Sequence, residues 1–385
     1  MTFWPLTPPH GGLYSILYEV IPLPILYIII AILMFGLLIA IHEFGHFITA
    51  KLCGVKVNEF AIGMGPALWK KHKGETLYSL RALPIGGYCA MEGEDEDTGD
   101  DRAFTVQPAW KKLIILAAGA FMNFVIGLVF LTVVTFPGKV ILTNEITELI
   151  DGFPTRPEQV LQVGDRIVKV DGHAIYQRSD ISLFLSRTGA DADLIIERDG
   201  RRIELPNYPL TEVEQEDGST RLMAGIILDG VEEATFGAKV RDVWLQAVDD
   251  VRMVWYSLGE LFRGAVGLRD LSGPVGIITM VGDVGEQGAQ LAESQHQAAW
   301  YGALMSILNF ASFIAINLAV MNLLPIPALD GGRIFFVFVN GIFMVLTKKR
   351  LDPKYEGYVH AAGMVLLLGL MAVVALSDVW KLIGR

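Results

Sequence analysis

Four long apolar runs stand out along the chain. They cover Ile21–Ile41, Leu113–Phe136, a part of Gln297–Leu329, and Gly357–Ser377. A helix needs about 20 mostly apolar residues to cross a bilayer, and each run is long enough. The pattern therefore predicts an α-helical integral membrane protein with four transmembrane helices.

A long segment of mixed polarity separates the second run from the third. Its first part alternates apolar and polar positions over Arg166–Val170, Asp193–Glu197 and Arg202–Leu205, with Gly-Asp and Asp-Gly pairs between them. Alternation bounded by such turns predicts short strands, and a helix is expected near Ser179–Arg187. We therefore predict a small β-rich domain at 137–239.

The second part of this segment has a helical period instead. Apolar residues of Val240–Phe262 fall on one helical face. Charged residues interrupt that stretch too often for a span, among them Asp242, Asp249, Asp250, Arg252 and Glu260. We expect an amphipathic juxtamembrane segment at 240–296, with its helix on the outer membrane surface or against the other helices.

The composition supports a membrane protein and excludes a nucleic-acid partner. Hydrophobic residues make up 52% of the chain and charged residues 19%, whereas a typical soluble domain has about 25% charged residues. The net charge of −11 argues against nucleic-acid binding. Much of the acidic excess lies in Glu92–Asp101, which we interpret as a solvated loop.

Two further features concern the compartment. Cys53 and Cys89 are the only cysteines, too few for a disulfide framework, and we interpret them as free thiols. The first 23 residues contain no Lys or Arg, so no cleavable signal peptide is predicted.

Loop charges orient the four predicted spans. No Lys or Arg precedes the first span, whereas the loop after it and the loop before the fourth span are rich in both. The positive-inside rule places these two loops in the cytoplasm, and both termini and the β-rich domain outside. The lipid bilayer is accordingly one expected partner.

The stretch HEFGH, at the end of the first run, is a candidate metal motif. His42 and His46 are four residues apart, so on a helix both imidazoles can reach one ion. Two imidazoles suit zinc, and the carboxylate of Glu43 beside them can serve as a general base. The alternative is a helix end with two surface histidines, which is disfavoured because ionisable groups at membrane depth are costly.

A catalytic zinc also needs a third protein ligand. Asp330 closes another apolar stretch on the same predicted face of the membrane, and ligation would compensate its carboxylate. It could instead merely start a cytoplasmic loop. Pro325 and Pro327 break the helix before it. Asn322, one turn before the break, either hydrogen-bonds a substrate backbone or holds two helices together.

HEFGH and NLLPIPALDGG together resemble the motifs of the site-2 protease family of intramembrane zinc metalloproteases, in its bacterial branch with an inserted PDZ domain. GGYCAMEGEDED, AFTVQPAWKKLIILAAGAFMNF, LQVGDRIVKVDGHAI and LSGPVGI also look like this family. The resemblance implies one zinc per chain, held by His42, His46 and Asp330, with Glu43 as the general base. Two departures are Ala120, where many relatives have proline, and PTRPEQVLQVGD, which lacks the usual small-residue turn of a PDZ domain.

The resemblance also implies a division of the chain. Residues 1–136 would form the first half of the membrane core, with a membrane-associated β-hairpin at Glu59–Tyr88 that holds substrate as an extended strand. A single PDZ-like domain would follow at 137–239, then the juxtamembrane segment 240–296, and 297–385 would complete the core. A hairpin of this kind meets a physical need, because a transmembrane helix must unwind before its peptide bonds can be reached.

The function expected from these features is that of an intramembrane zinc endopeptidase in the bacterial cytoplasmic membrane, with its active site near the cytoplasmic face. Its partners would be single-span membrane proteins, such as anti-sigma factors, or remnant signal peptides. A catalytically silent membrane scaffold is the alternative, but a scaffold has no need of four costly polar groups. A di-iron hydroxylase needs more histidines, and a general base beside a broken helix does not suit a metal transporter.

Overall fold

The computed structural model describes residues 23–94, 98–150, 153, 161–214, 220–264, 267, 272–349 and 353–383. The chain forms two compact units. The helical unit comprises Met1–Leu131 and Met253–Arg385, and the inserted unit is Thr132–Arg252. Ile21, at the start of the first predicted span, and 154–160, in the stretch that begins the presumed PDZ domain, lie outside the described residues.

Helices dominate the part of the chain that the structure describes. In chain order they are α1 (Leu23–Leu52), α2 (Ala109–Thr135), α3 (Arg178–Leu185), α4 (Phe236–Arg263), α5 (Pro274–Ser294), α6 (Ala299–Asn322), α7 (Asp330–Thr347) and α8 (Pro353–Ile383).

The structure has more candidate spans than the sequence predicts. Within the described residues, five helices are long and apolar enough to cross a membrane: α1, α2, α6, α7 and α8. Four of them overlap the predicted apolar runs, so the described part of the chain has several helices that are able to span a membrane. The additional candidate is α7, which was not recognised because Arg333 and Asn340 interrupt its apolar stretch. The count of four spans therefore stays a prediction.

The predicted hairpin is present, and it is folded back on itself. Strands β1 (Val57–Lys73) and β2 (Thr76–Met91) pair in antiparallel fashion from the turn at Lys73–Thr76 down to Val57–Met91. Residues 59–62 of β1 also align with residues 77–80, so that Phe60 has both Cys89 and Tyr78 as partners. The start of β1 thus lies between the two halves of β2, and the end of β2 is left at an edge.

Close packing through glycines brings α1 against α2. A Cβ added at Gly45 would lie 2.4 Å from the carbonyl oxygen of Ala118, so only glycine allows this approach. A buried apolar cluster joins the C-terminal end of α1, the hairpin and the N-terminal part of α2. Its buried members are Ala50, Val55, Val57, Cys89, Met91, Phe104, Ile115 and Leu116.

Within the inserted unit the predicted strands are confirmed. The described strands of the unit are β3 (Val140–Leu142), β4 (Glu148–Leu149), β5 (Arg166–Val170), β6 (His173–Ala174), β7 (Asp191–Arg198), β8 (Arg201–Pro209), β9 (Thr211–Glu214), β10 (Thr220–Met223), β11 (Ile226–Ile227) and β12 (Val231–Glu233). Four of them form an antiparallel sheet in the order β6-β5-β7-β8, and the predicted helix corresponds to α3. A β-rich insert is therefore present, and its identity as a PDZ domain stays a prediction.

The amphipathic helix is confirmed as α4, but some of its charges are buried. Arg252 pairs with Asp249 on the same helix and, at 2.9 Å, with Asp180 of α3. The guanidinium also lies 4.7 Å from the ring centre of Tyr176. Burial, followed by the nearby Asp180, raises the pKa of Asp249 to about 7. These charges bind α4 to α3 within the inserted unit.

The interpretation of the acidic run as a solvated loop is wrong at two positions. Glu92 accepts a hydrogen bond from Lys56 at 2.9 Å, and Glu94 accepts one from Arg333 at 2.6 Å. The loop therefore has fixed contacts where it leaves the hairpin, because its first acids meet basic side chains of neighbouring segments. Residues 95–97 of the run lie outside the described part of the chain.

Candidate metal centre

Three donor atoms from two distant segments converge at the end of the apolar part of α1. His42 Nε2 and His46 Nε2 are 3.1 Å apart. Asp330 Oδ2 lies 3.1 Å from the first of these nitrogens and 3.3 Å from the second. Among the described residues this is the one group of three or more such side chains able to hold a metal ion.

The spacing of these atoms fits a zinc ion. Ligand atoms about 2.0–2.1 Å from a tetrahedral zinc are about 3.3 Å from one another, close to the three observed distances. Asp330 Oδ2 is also buried and accepts no hydrogen bond, which is costly for a carboxylate oxygen unless a cation neutralises it. Two imidazoles and one carboxylate are a zinc-type donor set that leaves a fourth position open.

The backbone of α2 fixes the orientation of His46. Nδ1 of this ring lies 2.8 Å from the carbonyl oxygen of Ile115. A carbonyl oxygen can only accept, so the ring donates from Nδ1, and its Nε2 presents a lone pair to Asp330 and His42. Such an outer hydrogen bond is usual for metal-ligating histidines, since it selects the tautomer and holds the ring in place.

Two asparagines face the other imidazole. The side-chain nitrogens of Asn123 and Asn322 lie 3.3 Å and 3.4 Å from His42 Nδ1. When Nε2 binds a metal, Nδ1 carries the hydrogen and needs an acceptor. The oxygen of Asn123 is buried without a partner, and a rotation of this amide by 180° would supply that acceptor. Asn322 thus touches a ligand, and its predicted contact with substrate stays a prediction.

Gly119 of α2 forms the wall beside the donor atoms. A Cβ at this position would lie 2.4 Å from His46 Nε2 and 2.7 Å from His42 Nε2. Real Cβ atoms do not approach other atoms so closely, so any side chain here would displace the rings or fill the space of the ion. The site depends on glycine at this position.

A strained loop delivers Asp330. The predicted helix break is confirmed, because α6 ends at Asn322 and α7 begins at Asp330. Ala328 between them has a φ of +77°, a conformation that is rare for residues other than glycine. Its N–H donates to His360 Nδ1 of α8 at 3.0 Å. The largely buried ring of His360 thus supports this loop.

Glu43 lies next to the edge strand of the hairpin. A Cβ at Gly87 would be 3.5 Å from Glu43 Cγ and 3.7 Å from the side chain of Ile39. The strand that ends at Met91 therefore passes directly beside the predicted general base. No other strand pairs with its second edge within the described residues.

Comparison of the sequence with models of known protein families identifies the family of this chain. The model of peptidase family M50 matches residues 30–370. The chain belongs to peptidase family M50. Its similarity to the site-2 proteases is thereby confirmed.

Named relatives of this M50 peptidase are similar over almost their full length. A putative zinc metalloprotease of Fusobacterium nucleatum is 35% identical over 349 residues, which cover 88% of this chain and 94% of the relative. A putative zinc metalloprotease of Clostridium perfringens is 34% identical, over 87% of this chain and 92% of the relative. The regulator of sigma-W protease RasP of Bacillus subtilis is 26% identical, over 88% and 94%.

Sequence reasoning missed two residues of the M50 site. Gly119 and Asn123 lie four residues apart in GAFMN of α2, and hence on one helical face. A glycine followed by a buried amide in an apolar run was the available signal. Their roles depend on contact between helices, which the pattern along one helix does not contain.

Proposed function

We propose that this M50 peptidase is an intramembrane zinc endopeptidase that cleaves transmembrane segments of single-span proteins, such as anti-sigma factors or remnant signal peptides. The observation that carries the proposal is the convergence of His42, His46 and Asp330 within 3.3 Å of one another, with Glu43 beside an edge strand. The name of the Bacillus subtilis relative, regulator of sigma-W protease, supports anti-sigma factors as a substrate class.

Each polar residue of the site has a separate task. His42, His46 and Asp330 would hold one zinc, which when bound supplies a Lewis acid that makes water nucleophilic near pH 7. Glu43 takes the proton of the attacking water and returns one to the leaving amine. Asn123 keeps the ring of His42 in the metal-binding tautomer.

The edge strand at Gly87–Met91 receives the substrate in an extended form. Peptide bonds inside a helix are engaged in its own hydrogen bonds, so the substrate must unwind before attack. An edge strand can hydrogen-bond to the freed N–H and C=O groups of the substrate, which then adds to the sheet as a further strand. Gly87 carries no side chain, which lets the backbones of strand and substrate run close to Glu43. Asn322 binds the substrate backbone on the opposite side.

Four helices, α1, α2, α6 and α8, cross the membrane in this proposal. The loop before Asp330 contacts His360, and the seven steps from Pro353 to His360 span about 10 Å of helix. Helix α8 thus begins within about 10 Å of the membrane depth of the metal site. Helix α7 starts at that depth, so the chain does not reach the far side of the membrane between α7 and α8. Both termini and the inserted unit then lie outside, and the site lies near the cytoplasmic face of the bacterial membrane.

The inserted unit acts as a sieve in this proposal. As a PDZ-like domain outside the membrane, it admits substrates whose outer parts have already been trimmed. The resemblance to the bacterial site-2 proteases supports this role.

The variant Glu43→Gln tests the proposal. The purified protein in lipid vesicles, together with a single-span substrate, should show no cleavage while its zinc content stays at one per chain. Glu286→Gln, which alters an exposed glutamate of α5, is the matched control and should cleave normally. An active Glu43→Gln enzyme would disprove the mechanism, and wild-type protein without bound zinc would favour the membrane scaffold.

A further inference from the structure

An ion pair outside the metal centre connects the segments that carry its ligands. Arg333 Nη1 donates to Glu94 Oε1 at 2.6 Å, and about three quarters of each side chain is buried. Arg333 lies three residues after Asp330 in the first turn of α7, whereas Glu94 follows the edge strand of the hairpin. We propose that this pair positions Asp330 against the two histidines and thereby sets the zinc affinity, a role that rests on the proposed function.

The backbone of the first turn of α7 packs closely, because Gly331 and Gly332 lie against the loop at 323–326. Leu329, its N-cap residue, provides no side-chain cap, so any side-chain anchor of this turn comes from another residue. A cation near a helix N-terminus is unfavourable in the field of the helix dipole, so Arg333 needs a carboxylate beside it. Glu94 supplies that charge and ties the turn to a neighbouring segment.

The glutamate belongs to the part of the unit that holds both histidines. The turn before Glu94 is fixed by backbone hydrogen bonds from Glu92 to Lys56 at 2.9 Å and from Phe104 to Glu92 at 2.7 Å. Lys56 follows α1, which carries His42 and His46, and Phe104 precedes α2. The pair therefore links the segment beside α1, which carries two ligands, to the first turn of α7, which carries the third.

Loss of the pair should release the third ligand. Without the pair the first turn of α7 loses its side-chain link to the segment beside α1, and a displaced Asp330 would leave the zinc with two protein ligands. Changes to residues that orient metal ligands typically weaken metal affinity by about 10–100-fold. Neither Glu94 nor Arg333 needs to touch the ion for this effect.

Zinc affinity of the full-length protein, measured by competition with a chelator, tests the proposal. Glu94→Gln and Arg333→Gln should each raise the zinc dissociation constant by about 10–100-fold. The exchanged pair, Glu94→Arg with Arg333→Glu, should restore most of the loss, because the contact is remade with its charges reversed. A purely structural role for either residue would not produce this recovery.

The matched control is another Arg–Glu pair of the helical unit. Arg102 donates to Glu75 at the hairpin tip at 2.7 Å, and Arg102→Gln should leave the zinc affinity unchanged. If Arg333→Gln does not fold, Arg333→Lys keeps the charge but loses the planar fork, and should show a smaller loss.

Three results would overturn the proposal: single variants that bind zinc as tightly as wild type, an exchanged pair that is folded but as weak as the single variants, or an equal loss in Arg102→Gln. The proposed function fails separately, if wild-type protein binds zinc but cleaves no membrane substrate. Both outcomes can be read from the same preparations.

Discussion

At the scale of single residues, the centre depends as much on the space around its donor atoms as on the donors. Gly119 leaves that space open, Ile115 orients His46 through its carbonyl oxygen, and Asn123 faces His42. None of these three residues contributes a metal ligand. Each acts by restricting where an imidazole can lie.

We therefore expect Gly119→Ala to abolish zinc binding while every ligand remains in place. The new methyl group would lie 2.4 Å from His46 Nε2, in the space that the ion needs. Zinc per chain, measured on purified protein, should fall from one to near zero. Gly127→Ala on the same helix crowds Ile316 at 2.7 Å instead, and should keep its zinc. Full zinc occupancy in Gly119→Ala would contradict the geometry.

The residue types of the site could be predicted from sequence, but the supporting contacts could not. The sequence predicts His42, Glu43, His46 and Asp330 because ionisable groups at the ends of apolar runs are costly and usually have a function. Ile115, Gly119 and Asn123 are ordinary members of an apolar helix. They matter because α1 packs against α2 at these positions, and the hydrophobic pattern of a sequence does not specify which helices pack together.

At the scale of elements, buried acids of α4 make the stability of the inserted unit sensitive to pH. Burial, with Asp249 as its neighbour, raises the pKa of Asp250 to about 7, against about 4 in an unfolded chain. The folded state therefore favours the protonated form of Asp250. Its stabilising contribution is complete below about pH 4 and is lost as the pH rises through 7.

The inserted unit should accordingly be more stable at pH 5.5 than at pH 8. Asp250→Asn removes the titrating group, so it should raise the unfolding temperature at pH 8 and reduce the difference between the two pH values. Thermal unfolding of the full-length chain, followed by tryptophan fluorescence, measures both. An unfolding temperature for Asp250→Asn that falls at pH 8 would contradict this prediction, because the carboxylate would then be needed in its charged form.

The sequence predicts elements with a clear period of hydrophobic positions well, and it does not predict elements that depend on contacts between distant residues. The strands of the inserted unit and the helix α4 follow their sequence patterns closely. The fold-back of the hairpin was not predicted, because residues 59–62 have two partners at once and alternation specifies only one. Helix α7 was overlooked because Arg333 breaks its apolar run, although Glu94 satisfies that charge.

At the scale of the whole molecule, the number of membrane crossings determines whether the two termini lie on the same side of the membrane. Five described helices could span a membrane, yet the contact between Ala328 and His360 places the start of α8 near the depth of the site. Four crossings put both termini on one side, whereas five would separate them.

Cysteine labelling distinguishes four crossings from five. In a background without Cys53 and Cys89, a cysteine at Lys348 should react with a membrane-impermeant reagent only from the cytoplasmic side, as should one at Lys73 of the hairpin. A cysteine at Ser294, at the end of α5, should react from outside. Labelling of Lys348→Cys from outside would mean that α7 crosses the membrane.

The central claim is that one ion joins ligands from α1 and α7. The most direct measurement is the zinc content and affinity of purified wild-type protein and Asp330→Ala. The wild type should bind one zinc per chain, and loss of the carboxylate should weaken binding by at least the 10–100-fold expected of residues that only orient a ligand. An Asp330→Ala protein that binds zinc as tightly as wild type would contradict the account, because the third ligand would then lie elsewhere.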